Sequence, residues 1–508
     1  MAAPSTHAPA SAAPLRISLV NGDGIGPEIM AATLELFAAA GVNQHVEFVP
    51  VEMGRAVFEQ GNTRGMTDQA MATVEDCGIL FKGPMETPKG GGGKSINVTA
   101  RKIWNAFANL RHFQSLPGVN TVYSQAGIPV NFYVVRENIE DTYGGVEHRL
   151  TNDVIQCKRL ISAPGSDQVH RFAFQTARRL GLKKVHCGHK ANIMKMTDGL
   201  FLERFKAVAK DFPEIETADV IIDALCMNLV LKPQQYQMVV LPNLQGDIVS
   251  DLAAGLVGGL GFAPSANIGR HISIFEAVHG TAPDIAGRGI ANPTALILSG
   301  LMMLRHIGMM RQAAIIENAV LCALEEGVRT GDFGDQDKPA LSTHDYTKAI
   351  IDRLGKTPKS GKGPIVPATG TEDKATFVKP PRPIHQEIMR TFSNIVTHVA
   401  GCDIYLDTPL SPIAVADEMT RAAADTPFKL TLISNRGTQV WPTGSIYTEC
   451  VDYYRVRFEL KDGGRPGDFG QSRAIALLDK IAEKFSVCSY ELLRTFDGVK
   501  GYSMAQGQ

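Results

Sequence analysis

The sequence predicts an α/β body followed by a smaller α+β unit, and three observations support this division. From about residue 16 to 356, short apolar segments bounded by glycine or proline alternate with helical patterns, which is typical of α/β proteins. Residues 357–383 are rich in proline, glycine, lysine and threonine, a composition typical of a linker. Beyond them the predicted order of elements is β-α-β-β-α-β, which indicates a ferredoxin-like sandwich.

Composition excludes several classes of protein. A net charge of −1 over 508 residues offers no strongly basic surface for nucleic acid. The eight cysteines form no CxxC pair, so we expect neither a disulfide framework nor a zinc site, but a reducing compartment such as the cytoplasm. No apolar run is long enough to cross a membrane, and the Ala/Pro/Ser-rich residues 1–14 lack the blocks of a secretory signal. We interpret this segment as a disordered tail.

The first predicted strand, residues 16–20, leads into the turn Asn21–Glu28 and a helix that starts near Pro27. Strand, glycine turn and helix are reminiscent of a dinucleotide-binding fingerprint. The full G-x-G-x-x-G is absent, and no acidic residue ends a second strand at the expected distance. We therefore interpret this segment as a tight strand-to-helix turn and not as a Rossmann site.

The stretch Lys94–Arg101 follows the glycine-dense residues 89–93 and is followed by Arg111 and Arg136. Residues 102–113 are predicted to form a helix and residues 132–135 a strand. Guanidinium groups pair bidentately with carboxylates, so several together would suit a small tricarboxylic acid. The alternative is three unrelated surface arginines.

Acidic residues follow two further apolar strands. Asp223 ends the predicted strand 220–222, and the strand 238–241 is followed by Asp247 and Asp251. Four residues apart on a helix, the last two carboxylates share one face and repel each other unless a cation lies between them. Mg²⁺ or Mn²⁺ takes such oxygen ligands. The alternative is a helix N-terminus whose dipole favours acidic residues.

These motifs together resemble one family. The stretch from Ser95 to Arg101, the residues around Arg136 with Tyr143, Lys190–Lys195, Asn243–Asp251 and His279–Gly287 closely resemble the decarboxylating isocitrate dehydrogenases. The resemblance covers roughly residues 16–356, and residues 433–440 resemble the C-terminal extension of the long-chain bacterial type. The sister enzyme that acts on isopropylmalate is apolar where this chain has Ser95 and Asn97.

The resemblance implies an isocitrate/isopropylmalate dehydrogenase-type α/β fold that is not a Rossmann fold. It implies a large cofactor-binding domain (15–106 and 264–356), a small domain (107–263) with a clasp at about 140–162, the linker and a C-terminal α+β domain (384–508). It also implies a homodimer with shared active sites, and leaves a higher homo-oligomer open. Lys190 and Asp223 would then act in the site of the partner subunit.

The implied reaction is the metal-dependent oxidative decarboxylation of isocitrate to 2-oxoglutarate, a step of the tricarboxylic acid cycle. Tyr143 and Lys190 would be catalytic. The substrate would be held by Ser95, Asn97, Arg101, Arg111 and Arg136, and Mg²⁺ or Mn²⁺ by Asp223, Asp247 and Asp251.

The resemblance also implies a cofactor site formed by Thr87, Asn192, His279, Gly280, Thr281, Asp284, Ile285 and Asn292. NADP-dependent relatives carry Lys-Tyr where this chain has Asp284-Ile285. Because a carboxylate accepts hydrogen bonds from ribose hydroxyls and repels a phosphate, we predict NAD. Lys348, where relatives place an arginine near that phosphate, leaves NADP as an alternative. A homoisocitrate or tartrate-type dehydrogenase, and a binding protein whose C-terminal sandwich is the active part, are competing hypotheses.

Overall fold

The computed structural model describes residues 13–86, 95–334, 337, 339–361, 363–367, 375–385, 388–392, 394–444, 447–461 and 470–503. They form two compact units, one of Met1–Tyr143 with Leu160–Ile388 and the other of Gly144–Arg159 with Met389–Gln508. Thr87, the glycine-dense residues 89–93, most of the predicted tail and part of the predicted linker lie outside the described residues.

The elements are named here in chain order. The strands are β1 Leu15–Val20, β2 Val46–Pro50, β3 Ile79–Lys82, β4 Ala108–Gln114, β5 Asn131–Glu137, β6 Glu147–Arg149, β7 Ile155–Cys157, β8 Lys184–His189, β9 Glu216–Ile221, β10 Met238–Leu241, β11 Pro264–Ile268, β12 Ser273–Ala277, β13 Thr397–Asp407, β14 Phe428–Asn435, β15 Thr438–Trp441, β16 Tyr453–Leu460, β17 Ser486–Phe496 and β18 Val499–Lys500. The helices are α1 Gly26–Ala39, α2 Arg55–Glu59, α3 Asp68–Cys77, α4 Ile96–Ile103, α5 Val122–Gln125, α6 Ala163–Arg179, α7 Thr197–Ala209, α8 Ile222–Leu231, α9 Asn243–Leu256, α10 Thr294–His306, α11 Met310–Glu325, α12 Thr343–Ile351, α13 Pro412–Ala423 and α14 Gln471–Ala482.

The first unit is built on one mixed sheet in the order β2-β1-β3-β12-β11-β4-β5-β10-β8-β9. Its middle strands β12, β11, β4 and β5 pair antiparallel, whereas the flanking pairs are parallel. One apolar core packs α1, α10 and α11 against one end of the sheet, and separate cores pack α6 with α7 and α8 with α9 against the other. An antiparallel centre distinguishes this sheet from a Rossmann sheet and confirms the predicted fold class.

The second unit contains a six-stranded sheet in the order β15-β14-β16-β13-β17-β18. Its apolar residues, such as Ile404 and Val456, pack with Met419 of α13 and Leu477 of α14. The chain order β13-α13-β14-β16-α14-β17 is the predicted β-α-β-β-α-β order, so the ferredoxin-like prediction is confirmed. The hairpin of β6 and β7 belongs to this unit, where the Thr151 hydroxyl donates to Asp452 at 2.7 Å.

The predicted helix over residues 102–113 is wrong. Helix α4 ends at Ile103, Asn105 has a left-handed φ of 48°, and β4 begins at Ala108. Five of the seven residues of β4 are buried, and two of these, the alternate residues Asn109 and Arg111, are polar. Strand prediction depends on the alternation of apolar buried and polar exposed residues. This alternation is not visible in a strand such as β4, where one of the two buried faces is polar.

Two other expectations concern membranes and disulfides. Among the residues that the structure describes, no helix combines the length and the apolar character needed to span a bilayer. All eight cysteines are free thiols.

Candidate active site

Three predicted substrate arginines lie on different elements of the first unit. Arg101 is in the last turn of α4, Arg111 is on β4, and Arg136 is near the end of β5. The side chains of Arg111 and Arg136 are 4% and 2% exposed. Burial and the positive charge of Arg136 lower the pKa of Arg111 to about 9, which still leaves it a cation at neutral pH. Buried cations crowded in this way favour an anionic ligand.

Asp247 on α9 joins these arginines. Its Oδ1 accepts a hydrogen bond from Arg136 Nη1 and lies 3.7 Å from Arg111 Nη2. Burial alone would raise the pKa of Asp247, but Arg136, the Tyr143 hydroxyl and Arg111 hold it below its ordinary value. The close approach of Arg136 requires the neighbouring Gly246, because a Cβ there would lie 2.6 Å from Arg136 Cγ.

Tyr143 lies against the same carboxylate. Its hydroxyl donates to Asp247 Oδ2 at 2.5 Å, and the Arg136 guanidinium lies 4.9 Å from its ring centre. Asp141 anchors this segment to α9, since its Oδ2 accepts from Leu244 N at 3.0 Å. Burial and the Asp247 carboxylate raise the pKa of Tyr143 despite the opposing charge of Arg136, so the phenol keeps its proton at neutral pH.

A buried polar layer beneath the arginines was missed by sequence reasoning. Glu276 on β12 binds Arg101 Nη2 at 2.8 Å and Lys82 Nζ at 2.5 Å. Although burial raises the pKa of Glu276, the two cations lower it well below its usual range. Asn109 accepts from Arg111 Nε at 2.9 Å and donates to Asn267, which itself donates to Glu276. The signal that could have revealed this layer is the single acidic residue within the apolar strand Ser273–Ala277.

Ser95 and Asn97 lie at the start of α4. Ser95 is its N-cap and accepts from Val98 N at 3.4 Å. Asn97 donates to Met85 O at 3.4 Å, while its buried Oδ1 has no hydrogen-bond partner among the described residues. Arg101 Nε, one turn along the helix, is also buried without a partner there. Two unsatisfied polar atoms on one helix face are where a polar ligand would be expected.

Lys190 and Asp223 form a separate pair. Lys190 Nζ donates to Asp223 Oδ1 at 2.6 Å, and the Asp223 side chain is 67% exposed. The hydrogen bond from Lys190 lowers the pKa of Asp223. The structure thus brings these two predicted residues together, and no hydrogen bond or ion pair joins either side chain to Asp247 among the described residues.

Within the described part of the chain, no three His, Cys, Asp or Glu residues are grouped so that they could hold a metal ion. Asp247 and Asp251 nonetheless offer two carboxylates on one face of α9. Asp251 is 62% exposed and its ion pair with Arg111 is long, at 3.9 Å; burial and the Asp247 charge raise its pKa. These oxygen donors fit a hard divalent cation, and the single chain supplies part of a ligand set.

Asp198 and Gln245 connect the two groups of residues and were not predicted as functional. Asp198, at the start of α7, is fully buried, and its Oδ2 accepts from Lys190 N at 2.6 Å and from Gln245 Nε2 at 2.9 Å. Gln245 lies on α9, two residues before Asp247. An acid in the first turn of a helix is common, so sequence alone does not single out Asp198.

The predicted cofactor residues, apart from Thr87, occupy the loop between β12 and α10 and one exposed position, Asn192. His279 Nδ1 donates to Gly280 O at 2.9 Å, and its buried Nε2 has no partner among the described residues. Thr281 O accepts from Ile25 N at 2.9 Å, so this loop packs against the predicted Asn21–Glu28 turn. Asn292 is buried and donates to Asp332 at 3.1 Å.

The comparisons with known proteins decide the family. The family model described as isocitrate/isopropylmalate dehydrogenase matches residues 16–350, and the model of the bacterial isocitrate dehydrogenase C-terminal domain matches residues 397–508. The chain belongs to the isocitrate/isopropylmalate dehydrogenase family. The predicted likeness to the long-chain bacterial type is therefore confirmed.

Individual members of the family match across nearly the whole chain. A Thermus thermophilus protein named isocitrate dehydrogenase [NADP] is 42% identical, with 97% of this chain and 96% of the relative covered. A Rickettsia bellii protein of the same name is 36% identical, with 97% and 99% covered. A crystal structure of a Thermus thermophilus protein, also 42% identical, superposes with a TM-score of 0.87 over 97% of this chain and 96% of that chain.

The prediction of an NAD-dependent enzyme with NAD as cofactor is wrong, because these full-length relatives are named for NADP. The structure explains why Asp284 and Ile285 do not determine the choice of cofactor. Asp284 lies on an exposed turn, Pro283–Ile285, where water screens its charge, and Ile285 packs against the apolar core. A hydrogen bond from Thr343 N to Gly289 O, 2.9 Å long, joins the same loop to α12, which carries the exposed Lys348.

Proposed function

We propose that this chain oxidises isocitrate and releases its β-carboxylate as CO₂, giving 2-oxoglutarate, with NADP as hydride acceptor and Mg²⁺ or Mn²⁺ as metal. The observation that carries the proposal is the cluster of Arg111, Arg136 and Tyr143 around Asp247. Family membership and the two full-length relatives named isocitrate dehydrogenase [NADP] support the substrate and the cofactor.

The cations match a substrate with three carboxylates. Arg101, Arg111 and Arg136 can each offer N–H donors to a carboxylate, and their burial increases the strength of that pairing. Ser95 and Asn97 would bind the carboxylate arm that an isopropylmalate-type substrate lacks. The unpaired Arg101 Nε and Asn97 Oδ1 are the atoms that would gain partners when substrate and its surrounding water enter.

Two residues are suited to move protons. Tyr143 keeps its proton because its pKa is raised, so it can donate to the carbon that loses CO₂. In the site of the partner subunit, Lys190 as the neutral amine would accept the hydroxyl proton, and the ammonium so formed would pair with substrate oxygens. Asp198 would hold the Lys190 backbone through its 2.6 Å hydrogen bond.

The metal would be held by Asp247 and Asp251 of one chain and Asp223 of the partner subunit. When bound, a divalent cation supplies a Lewis acid for the substrate hydroxyl and the adjacent carboxylate. Bound NADP supplies the acceptor for the hydride. Asp247 would exchange part of its contact with Arg136 and Tyr143 for the cation, which leaves their donors available to substrate.

Homodimer formation with shared sites is also part of the proposal. Helices α8 and α9 carry the three metal-ligand candidates and also a set of exposed apolar side chains. An exposed apolar patch of this kind is typical of a protein–protein interface. It consists of Met227 (55% exposed), Val230 (47%), Leu231 (61%), Leu244 (38%) and Ile248 (61%).

The activity is tested with the purified full-length chain, Mn²⁺ and NADP, and isocitrate, isopropylmalate, homoisocitrate and tartrate as separate substrates. We expect isocitrate to give the highest kcat/KM and one 2-oxoglutarate and one CO₂ for each NADPH formed. A higher kcat/KM for any other substrate would reject isocitrate as the substrate. NADPH formation without CO₂ would reject the decarboxylation.

The cofactor is tested at Lys348, which we propose pairs with the 2′-phosphate of NADP. Lys348→Gln should raise the KM for NADP by about tenfold, since loss of one phosphate contact costs about 1–2 kcal/mol, and should leave the KM for isocitrate unchanged. The matched control is Lys356→Gln, which removes the same charge from the region just beyond α12. Equal effects of the two substitutions would contradict the assignment of Lys348.

A further inference from the structure

A cavity of about 350 Å³ lies in the first unit, on the opposite side of the sheet from the candidate active site. We call it the rear cavity. On β4, Asn109 and Arg111 face the active-site layer, whereas Leu110 and His112 line the cavity. The same alternation holds on β12, where Phe275 lines the cavity and the next residue, Glu276, binds Arg101. One thickness of sheet therefore separates the two sites.

The walls of the rear cavity come from two apolar cores. Phe275 and Leu298 belong to the core of α1, α10 and α11, while Leu110 belongs to the core of α6 and α7. Met302 packs against both cores and lines the cavity between them. The cavity has the size and the mainly apolar walls of a small-molecule site.

The polar groups around the cavity carry an excess of one positive charge. Arg305 forms an ion pair with Glu317, whereas Arg179, at the end of α6, makes no ion pair or hydrogen bond with the described residues. Burial lowers the pKa of His112 and lowers that of His306 to about 4, so both imidazoles are neutral at pH 7. The imidazole of His112 and the ring of Tyr133 stack face to face with centroids 4.1 Å apart, and both residues line the cavity.

We propose that the rear cavity binds a small amphipathic anion, with a flat aromatic body and a single carboxylate or sulfonate group. The aromatic body would lie against the stacked pair of His112 and Tyr133 and contact Met302, and the anionic group would pair with Arg179. The limited volume and the lining by four strands, β4, β5, β11 and β12, favour a small molecule over a peptide segment. This assignment does not depend on the proposed activity.

The test uses two probes that share one ring system. 8-Anilinonaphthalene-1-sulfonate carries the anionic group, and N-phenyl-1-naphthylamine lacks it. Each is titrated into the full-length protein with saturating NADP, so that the nucleotide site is filled, and binding is followed by dye fluorescence. We expect both dyes to bind the wild type at one site. Binding of the sulfonate dye only in the absence of NADP would overturn the proposal.

Substitutions locate the bound dye. Met302→Trp should fill the cavity and weaken both dyes at least about tenfold, whereas Arg179→Gln should weaken the sulfonate dye about threefold and leave the neutral dye unchanged. The matched control is Arg178→Gln, which removes the same charge from the adjacent residue. Arg178 faces Phe212 and Glu214, away from the cavity, so both dyes should bind this variant like the wild type.

A second charge variant tests the proposal independently, in case Met302→Trp does not fold. Met310 lines the cavity, is 44% exposed and begins α11, where an acidic residue is well tolerated. Met310→Glu should weaken the sulfonate dye and spare the neutral dye. Unchanged affinity for the sulfonate dye in both Met310→Glu and Arg179→Gln, or equal losses in Arg178→Gln and Arg179→Gln, would reject the rear cavity as an anion site.

Discussion

The Tyr143 hydroxyl is the proposed proton donor of the site, and one hydrogen bond positions it. It donates to Asp247 Oδ2, and its raised pKa keeps it protonated at neutral pH. We expect Tyr143→Phe, which keeps the ring over Arg136, to lower kcat by about 10²–10⁴-fold and to change the KM for isocitrate little. Steady-state kinetics checks this prediction. A loss confined to KM would indicate that the hydroxyl binds substrate and does not transfer a proton.

At the residue scale, the arginines that would pair with an anionic ligand were easier to identify from sequence than the buried residues that position these arginines. Arg111 and Arg136 stand out because arginine is unusual between apolar segments, and the structure brings both against Asp247. Asn109 and Asn267 give no such signal, because a single asparagine in a strand occurs in many proteins without any functional role. Their pairing with each other is created only when β4 and β11 become neighbours in the sheet.

At the scale of elements, helix α6 contains a buried histidine that makes stability depend on pH. His170 contacts Phe201 O at 2.9 Å through Nε2, and its buried Nδ1 has no partner among the described residues. Burial lowers the pKa of His170 to about 3. Below pH 6.5 the unfolded chain therefore takes up a proton that the folded chain does not, so this group's contribution to stability is complete above pH 6.5 and is lost as the pH falls toward 3.

We expect this histidine to remove about 2 kcal/mol from the free energy of unfolding between pH 6.5 and pH 5, since each pH unit of one-proton linkage is worth about 1.4 kcal/mol. His170→Gln should lose about 2 kcal/mol less of its free energy of unfolding over the same pH range than the wild type, whatever the stability of the variant at pH 7.5. Urea unfolding at pH 7.5, 6.5 and 5 measures it, with the exposed His148→Gln as control. An identical pH slope in wild type and His170→Gln would show that the folded and unfolded chains take up a proton at His170 alike, which contradicts the prediction.

Prediction of elements succeeded where hydrophobic periodicity was visible and failed where burial was polar. The strand Met238–Leu241 lies where it was predicted, and the second unit has its predicted order of strands and helices. Strand β4 was predicted as part of a helix because two of its alternate buried residues, Asn109 and Arg111, are polar. Those two residues are buried in the candidate active site. Residues buried in a functional site need not be apolar, so the strand lacks the pattern of an ordinary core strand.

At the scale of the whole molecule, the proposed shared site, in which Lys190 acts in the cleft of the partner subunit, predicts that two inactive variants complement each other. Inactive Lys190→Met and inactive Asp247→Asn proteins, mixed under conditions that exchange subunits, should recover activity. A mixed dimer would contain one cleft with both residues intact, so a statistical mixture should reach roughly a quarter of the wild-type rate. Mass spectrometry verifies the exchange. Exchanged subunits that remain inactive would contradict shared sites.

The two-part organisation of the chain was visible from the sequence, because a linker-like composition separates two different patterns of elements. The grouping of the β6–β7 hairpin with the second unit was not visible, since it depends on contacts such as Lys158 Nζ with Glu491 at 2.9 Å, far apart in sequence. The cofactor prediction failed for a related reason. A rule based on Asp284 and Ile285 alone ignores the exposure of one residue and the core packing of the other.

The most direct test of the proposed active site is the turnover of isocitrate by Asp247→Asn at saturating Mn²⁺ and NADP. Asp247 contacts Arg136 and Tyr143 and is a proposed metal ligand, and the substitution removes its charge while barely changing its volume. We predict an unchanged fold by circular dichroism and a fall in kcat of at least about 10³-fold, equivalent to about 4 kcal/mol of transition-state stabilisation. Asp352→Asn, the same change at a position just after α12, should retain wild-type turnover. Near-normal turnover by Asp247→Asn would contradict the assignment of this cluster as the active site.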